Sequence, residues 1–336
     1  MPEEWTEKTL AEAGPRFSLK SRSPESLAAW RRYIPFTPKG LLDAICNGSL
    51  ATARLHVDIR ENGYANLKIT LPGEDGAEQF HCLCGLSPSG GDSDFKNVQV
   101  TPSLQGRGLA RLAVRNIVAV AREMGISRIG TWAALEHGGY AWARFGFAPS
   151  PGSWDFLRSN FLHPRLKLLA DCIPQNAKAQ LEAALASDDP QSIFLIAAIK
   201  TPAAHVPVGR ILLSGGAWNP DGASPPDEDT WEMMKESAMK RLQSVFHLLP
   251  PGEPRKIQNL LQVRTPNAFA VLNIGHSFRG IPVGKLMLLG TYWEGGIDFE
   301  NPRQANIFNA CMGQDTPDAP AANPPAPTRK PGGPHG

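Results

Sequence analysis

This chain is short of cysteine, has almost no net charge, and contains no long apolar run. Each shortage excludes something. Five cysteines in 336 residues (Cys46, Cys82, Cys84, Cys172, Cys311) are sparse and odd in number, which argues against a disulfide framework. Cys82 and Cys84 share one face of a strand, and nothing else offers zinc spacing. They read as buried reduced thiols, each behaving as a small hydrophobe in a reducing compartment. A formal charge of +2, with no basic block, indicates no nucleic-acid partner and no membrane surface. No uncharged apolar stretch approaches the roughly 20 residues of a membrane helix. The start, Met1-Pro2-Glu3-Glu4-Trp5, is acidic and lacks the apolar centre of a signal peptide. The expectation is a cytoplasmic protein. Its length allows two domains, or one domain with additions.

What is present is pattern. Residues 1–45 form an extension with two short helical candidates, Ser26–Tyr33 and Pro38–Asn47. Leu55, Val57 and Ile59 then alternate with polar residues, as in a half-buried strand. Turns at Glu61-Asn62-Gly63 and Pro72–Gly76 separate further strands at Tyr64–Leu71 and Phe80–Leu86, and a Ser/Gly/Asp loop precedes a fourth at Phe95–Val100. This is an antiparallel meander. Leu109, Leu112, Ala113, Ile117, Val120 and Met124 then recur at helical spacing, and Gly125 fits a left-handed helix end. A strand at Arg128–Ala133 completes a parallel crossover unit. Gly139–Arg144 reads as a short helix before Phe145-Gly146-Phe147.

From residue 151 to 312 helices dominate, and the sequence repeats. Val206–Trp218 lies over Ile281–Trp293 without a gap, with Pro207/Pro282, Val208/Val283, Gly209/Gly284, Leu213/Leu288, Gly215/Gly290 and Trp218/Trp293 identical. Upstream, Pro190, Ile193, Lys200, Thr201 and Pro202 lie over Pro254, Ile257, Arg264, Thr265 and Pro266. The pattern predicts a duplicated, mainly helical module with copies at about 166–222 and 230–312. Trp218 and Trp293 either form paired ligand sites or plug the core of each copy. The Ser/Pro/Gly run at Ala148–Ser153 reads as a junction, giving a sheet domain at 46–150. The Pro/Gly/Ala-rich stretch 313–336 is expected to be disordered.

The segment that suggests chemistry is Gln105-Gly106-Arg107-Gly108-Leu109-Ala110, preceded by Val100-x-Pro102. Glycines let backbone approach a diphosphate closely, amide hydrogens point inward, and the helix starting at Leu109 offers its positive end. Arg107 adds a charge-assisted contact. The segment resembles the signature of the GNAT superfamily of N-acetyltransferases, and Gly139–Phe147 is similar to the helix and Gly-Phe strand start that close that fold. The resemblance covers about 100 residues and omits the repeats. It implies an α/β fold with a mixed, mostly antiparallel sheet, splayed between the strands near 95–100 and 128–133. It further implies acetyl-CoA as cofactor, with the thioester carbonyl held by a backbone amide at Val98 or Val100.

The same resemblance runs thin at the proton-transfer positions. Counting back from Gly146-Phe147, the family's tyrosine falls on Trp142, whose indole is no acid near neutral pH. Tyr140 is about 200° away on a helix. Tyr140 and Glu136 are the candidate catalytic residues, Glu136 and His137 following the strand 128–133. His81 and Asp58 have weaker claims. The expected function is N-acyl transfer from a CoA thioester to an unidentified amine, with the helical module docking the acceptor. The alternative is a non-catalytic module on the same scaffold. A protein delivered by a bacterium or phage into another cell is a third reading.

Overall fold

The computed structural model describes residues 7–74, 76–134, 138–213, 228–245, 249, 252–262, 277–278 and 280–313. Glu136, His137, Trp218 and the expected disordered tail beyond 313 lie outside the described residues.

Helix starts are written locally in the sequence. Ser23-Pro24, Thr37-Pro38, Ser150-Pro151 and Asn301-Pro302 each place a capping side chain before a proline that needs no hydrogen-bond partner. The caps form: Ser23 accepts from the Ser26 N–H, Thr37 from Gly40, Ser150 from Ser153, and Asn301 from Arg303 and Gln304. They open α2 (Pro24–Tyr33), α3 (Pro38–Ile45), α6 (Pro151–Leu157) and a C-terminal helix, Pro302–Met312. A short α1 (Glu7–Glu12) precedes them.

The protein is α/β, built on a mixed eight-stranded sheet. The meander forms as its alternation predicts: β2 (Arg54–Ile59), β3 (Ala65–Pro72), β4 (Glu78–Leu86) and β5 (Asp94–Val100) pair antiparallel in sequence. A short β1 (Phe17–Leu19) adds parallel to β2. One face carries Leu55, Val57, Leu67, Ile69, Phe80, Cys82 and Cys84, all buried. Against it packs α4 (Leu109–Glu123) through Ala113, Val114, Ile117 and Val118. Buried Asn116 ties α4 to α3 by donating to the Ile45 carbonyl at 2.8 Å. The other face presents Arg54, His56, Lys68, His81 and Gln99, exposed or half-buried, as one-sided antiparallel sheets permit.

After α4 the chain returns as β6 (Arg128–Ala133), then α5 (Gly138–Arg144) and β7 (Ala148–Pro149). Here the fold departs from the expected domain division. β10 (Trp293–Asp298) enters the sheet between β6 and β7, antiparallel to both. Gly295 is required there, because a Cβ would run into the Ala148 backbone. The boundary at 150 therefore does not separate sheet from helices. Everything from α6 to the helix Val283–Leu288 is an excursion between two neighbouring strands. The run Ala148–Ser153 is no linker: the Ser150 N–H donates to the Glu294 carbonyl (2.8 Å), and Trp154 is fully buried with its indole N–H on the Ser187 carbonyl (3.0 Å).

Among its described residues the excursion is mainly helical, with helices at His163–Leu168, Gln175–Leu185, Ser192–Ala197, Val208–Leu213, Glu228–Val245, Glu253–Gln262 and Val283–Leu288. The strand pair of β8 (Val206–Pro207) and β9 (Ser277–Phe278) joins its halves. Buried Arg165 donates to the carbonyls of Met287 and Leu289 at 2.8 and 2.7 Å, satisfying a helix C-terminus. Trp293 is buried in the main sheet, opposite Ala133 of β6. Among the described residues no helix is long and apolar enough to cross a membrane.

Candidate functional site: the gap between β5 and β6

The parallel ladder between β5 and β6 has two rungs, Asp94 with Gly130 and Phe95 with Thr131. Both strands then continue, to Val100 and to Ala133, without pairing each other. A register shift lies beside that point: between Leu83 and Cys84 on β4, the partner on β5 jumps from Asn97 to Phe95, leaving Lys96 unmatched. Such a bulge bends a strand and re-aims the residues beyond it.

The direction of the freed amides comes from alternation. The Thr101 N–H donates toward β4, to Gln79 O at 2.9 Å. Successive backbone groups on an extended strand point to opposite sides. The N–H groups of Val98 and Val100 accordingly point away from β4, into the gap. The Val100 carbonyl on the same side accepts from the Gln105 side chain at 3.3 Å, so Gln105 fastens the loop to the mouth of the gap.

The loop itself turns through two left-handed glycines, Gly106 (φ 78°) and Gly108 (φ 76°). A Cβ at Gly106 would meet nothing within 4 Å, and one at Gly108 only Arg111 Nη2 at 3.7 Å. Space is therefore free above both, and other side chains are excluded by φ rather than by crowding. Gly108 caps α4 with no side-chain bond, and the first backbone bond to it comes from the Leu112 N–H at 2.9 Å. The amides of Leu109, Ala110 and Arg111 are left at the positive end of a 15-residue helix. Arg107 is exposed beside them, and Leu109 is buried. Open glycines, unclaimed amides and a nearby guanidinium fit a diphosphate.

The proton-transfer candidates fare differently. Tyr140 is half-buried, and its hydroxyl accepts from Arg144 at 3.3 Å. Trp142 is a core residue, 8% exposed, with its ring 5.1 Å from Phe95, 4.7 Å from Phe147 and 6.0 Å from Phe145. It closes the sheet where the ladder stops, and does not line an open wall. His81 lies beside Gln99 on the open face, 3.6 Å from Glu78, while Asp58 pairs with Lys20 (3.1 Å) out on β2. Thus Val98, Val100 and the segment Gln105–Ala110 come together, whereas Asp58 does not join them.

Other polar and aromatic groups lie near the gap. Thr131 Oγ1, Trp293 Nε1 and Asn97 Oδ1 are buried without a hydrogen-bond partner among the described residues. Trp132, the first β6 residue past the last rung, is 66% exposed. Its outward position accords with the alternation of Ile129, Thr131 and Ala133, which could have flagged it. Its neighbour Glu294 could not be foreseen, because nothing local announces that β10 pairs with β6.

Four of the five cysteines belong to the core. Cys46, Cys82, Cys84 and Cys172 are buried and unpaired. Burial pushes the Cys46 thiol up to about 11 and raises those of Cys82 and Cys84 as well, so these three are no ready nucleophiles. No protein-family model, curated protein or solved structure matches this chain.

Proposed function

We propose that this protein is an acyl-CoA-dependent N-acyltransferase of the GNAT type, moving an acetyl group from acetyl-CoA to an amine. The observation that carries the reading is a coincidence at one strand end. The β5–β6 ladder opens after Phe95 and Thr131, the Val98 and Val100 amides point into the opening, and β5 runs on into a glycine loop and an uncapped helix. The amides of the loop and of the first turn of α4, with Arg107, would hold the diphosphate. Val98 or Val100 would donate to the acyl oxygen and stabilise charge developing there. When bound, the cofactor supplies a thioester carbonyl open to attack by an amine. The gap holds the reactants in place, which alone can account for much of a rate enhancement.

The helical excursion is read as the duplicated module, docking the acceptor. Its two short helices, Val208–Leu213 and Val283–Leu288, start at equivalent repeat positions and have the same length. Segments of the two copies also bond to each other, Ala203 N–H to Ile281 O at 2.9 Å and Val283 N–H to Thr201 O at 2.9 Å.

The test is thermal melting with acetyl-CoA. A ligand binding only the folded state adds about 2.7 kcal/mol at a hundredfold excess over its dissociation constant. Wild type should show a concentration-dependent rise in Tm. Gly108→Val, which forces a β-branched residue into left-handed backbone, should fold and show no rise. A wild-type curve unmoved by saturating acetyl-CoA sinks the proposal. A second reading, a non-catalytic module that binds the cofactor or a protein, is favoured by the burial of Trp142 and by Arg144 holding the Tyr140 hydroxyl. Acetyl-CoA binding without thiol release across a broad amine panel would select it.

A further inference from the structure

The sheet face opposite α4 carries an aromatic strip with one carboxylate beside the gap. Phe95 and Thr131 are rung partners and share the α4 face, so Trp132 lies on the other. In the antiparallel pair of β6 and β10, Glu294 stands directly opposite Trp132, and such partners share a face. Thr291 and Trp293 are buried while Tyr292 and Glu294 are exposed, which carries Tyr292 to the side of Glu294. Tyr292 (44% exposed) is 5.5 Å from Phe156 of α6 (42% exposed), ring centre to ring centre. Trp132, Glu294, Tyr292 and Phe156 thus form one exposed strip from the gap to the sheet edge.

Large exposed aromatics beside one another mark an interaction site, and the chemistry here is selective. An indole face attracts a cation, and a carboxylate across the strand attracts the same cation. Glu294 has no ion pair among the described residues; its backbone N–H is held by Ser153 Oγ at 3.2 Å, which fixes its position on the strand. Cations of this face have other partners: Arg128 pairs with Asp298 at 3.4 Å, Lys68 with Glu78 at 2.8 Å, and Lys96 donates to Asn66 Oδ1 at 3.0 Å. On the opposite lip of the gap, Asn97 lies on this same face through its partner Leu83, and its buried Oδ1 has no hydrogen-bond partner among the described residues. An acceptor atom held out of water at that lip suits an N–H donor.

We propose that this strip is the acceptor subsite and that it takes a protonated amine carried on a flat apolar body. The charged nitrogen sits between Trp132 and Glu294, near Asn97, and the body lies along Tyr292 and Phe156. For acyl transfer the nitrogen first gives one proton to the Glu294 carboxylate. Its freed lone pair then forms the C–N bond as the C–S bond breaks. The departing thiolate takes up a proton, while the new amide nitrogen loses its second to water. Naming the bound amine an acceptor rests on the acyltransferase reading; the binding site itself does not.

The probe is benzylamine, with benzyl alcohol as its neutral counterpart, titrated calorimetrically into the full chain at pH 7. Wild type should bind benzylamine and not the alcohol. Trp132→Leu and Glu294→Gln should each weaken benzylamine about two- to fivefold, as for loss of an exposed cation contact. Both side chains are exposed, so melting curves should show these variants folded, and their affinity for acetyl-CoA should match wild type. Equal binding of amine and alcohol, no binding of either, or variants that bind benzylamine as wild type does would each overturn the subsite. Benzylamine binding with this pattern in a protein blind to acetyl-CoA would uphold the amine site and remove the acyltransferase reading alone.

Discussion

The two arms of the sheet are built by opposite means. From β2 to β5 each strand pairs with the next, across turns in which Arg60 accepts from Gly63 and Gly73 from Gly76. In the arm of β6, β10 and β7 the middle strand arrives last. Ser153 Oγ of α6 and the Glu294 N–H of β10, bonded to each other, are 141 positions apart. Closing a long loop costs only a slowly growing entropy, so a chain can leave a sheet, fold a helical region, and return to fill the place beside β6. The lesson concerns where the site sits. The local arm supplies the amides and the glycine loop, the assembled arm supplies Trp132 and Glu294, and the gap is the seam between them.

The largest effect should come from removing the late strand. A chain ending at residue 292 leaves β6 and β7 without the strand between them, and the fragment 160–314 carries β10 without either partner. Both should lack a cooperative urea transition. A fragment 160–314 that unfolds cooperatively would show the helical region to be a domain in its own right and break the contrast between the arms.

Next comes the aromatic cluster at the seam, where Trp142 touches Phe95 of the local arm and Phe147 of the other. Trp142→Ala should cost about 3–5 kcal/mol by urea denaturation, as for a buried aromatic. A loss below about 1 kcal/mol would mean that the arms do not lean on each other through this ring.

A smaller and graded effect should come from alkali. Burial holds the Cys46 thiol protonated up to about 11, against an ordinary value of 9.0 in the unfolded chain. Between these values the unfolded state gives up its proton first, so stability is full below pH 9 and falls as pH rises toward 11. The slope should approach about 1.4 kcal/mol per pH unit for each such thiol. Cys82 and Cys84, shifted in the same direction, steepen it. All three belong to the local arm and its helices, so Cys46→Ala should flatten the slope measured by urea midpoints from pH 8 to 11. An unchanged slope would count against burial of that thiol.

Much of the local arm is legible in the sequence. Leu55, Val57 and Ile59 alternate, and so do the residues of β3, because a half-buried strand writes its burial into every second residue. The helix from Leu109 is legible for the same reason at period 3.6. The glycine loop is legible because only glycine rests easily at φ near 77°, and Gly106 and Gly108 sit there. The strand at Trp293 is not. Glu294, Gly295 and Gly296 carry no alternation of apolar residues, since β10 is bounded by strands on both sides and needs glycine where Ala148 and Ile129 press close. The apolar stretches before the two repeat tryptophans suggest no definite element from sequence; Val208–Leu213 and Val283–Leu288 are single short helices.

The sequence by itself determined what depends on neighbours along the chain: strand alternation, helix faces, caps, and the left-handed glycines at the mouth of the gap. Tertiary structure decided what depends on partners across it. It placed β10 between β6 and β7, buried Trp142 against Phe95 and Phe147, gave the Tyr140 hydroxyl to Arg144, and set Glu294 opposite Trp132. The physical reason is that period and backbone preference act over a few residues, whereas a sheet place is won by whichever segment can bond to both neighbours and fit between them. No window of sequence contains that competition.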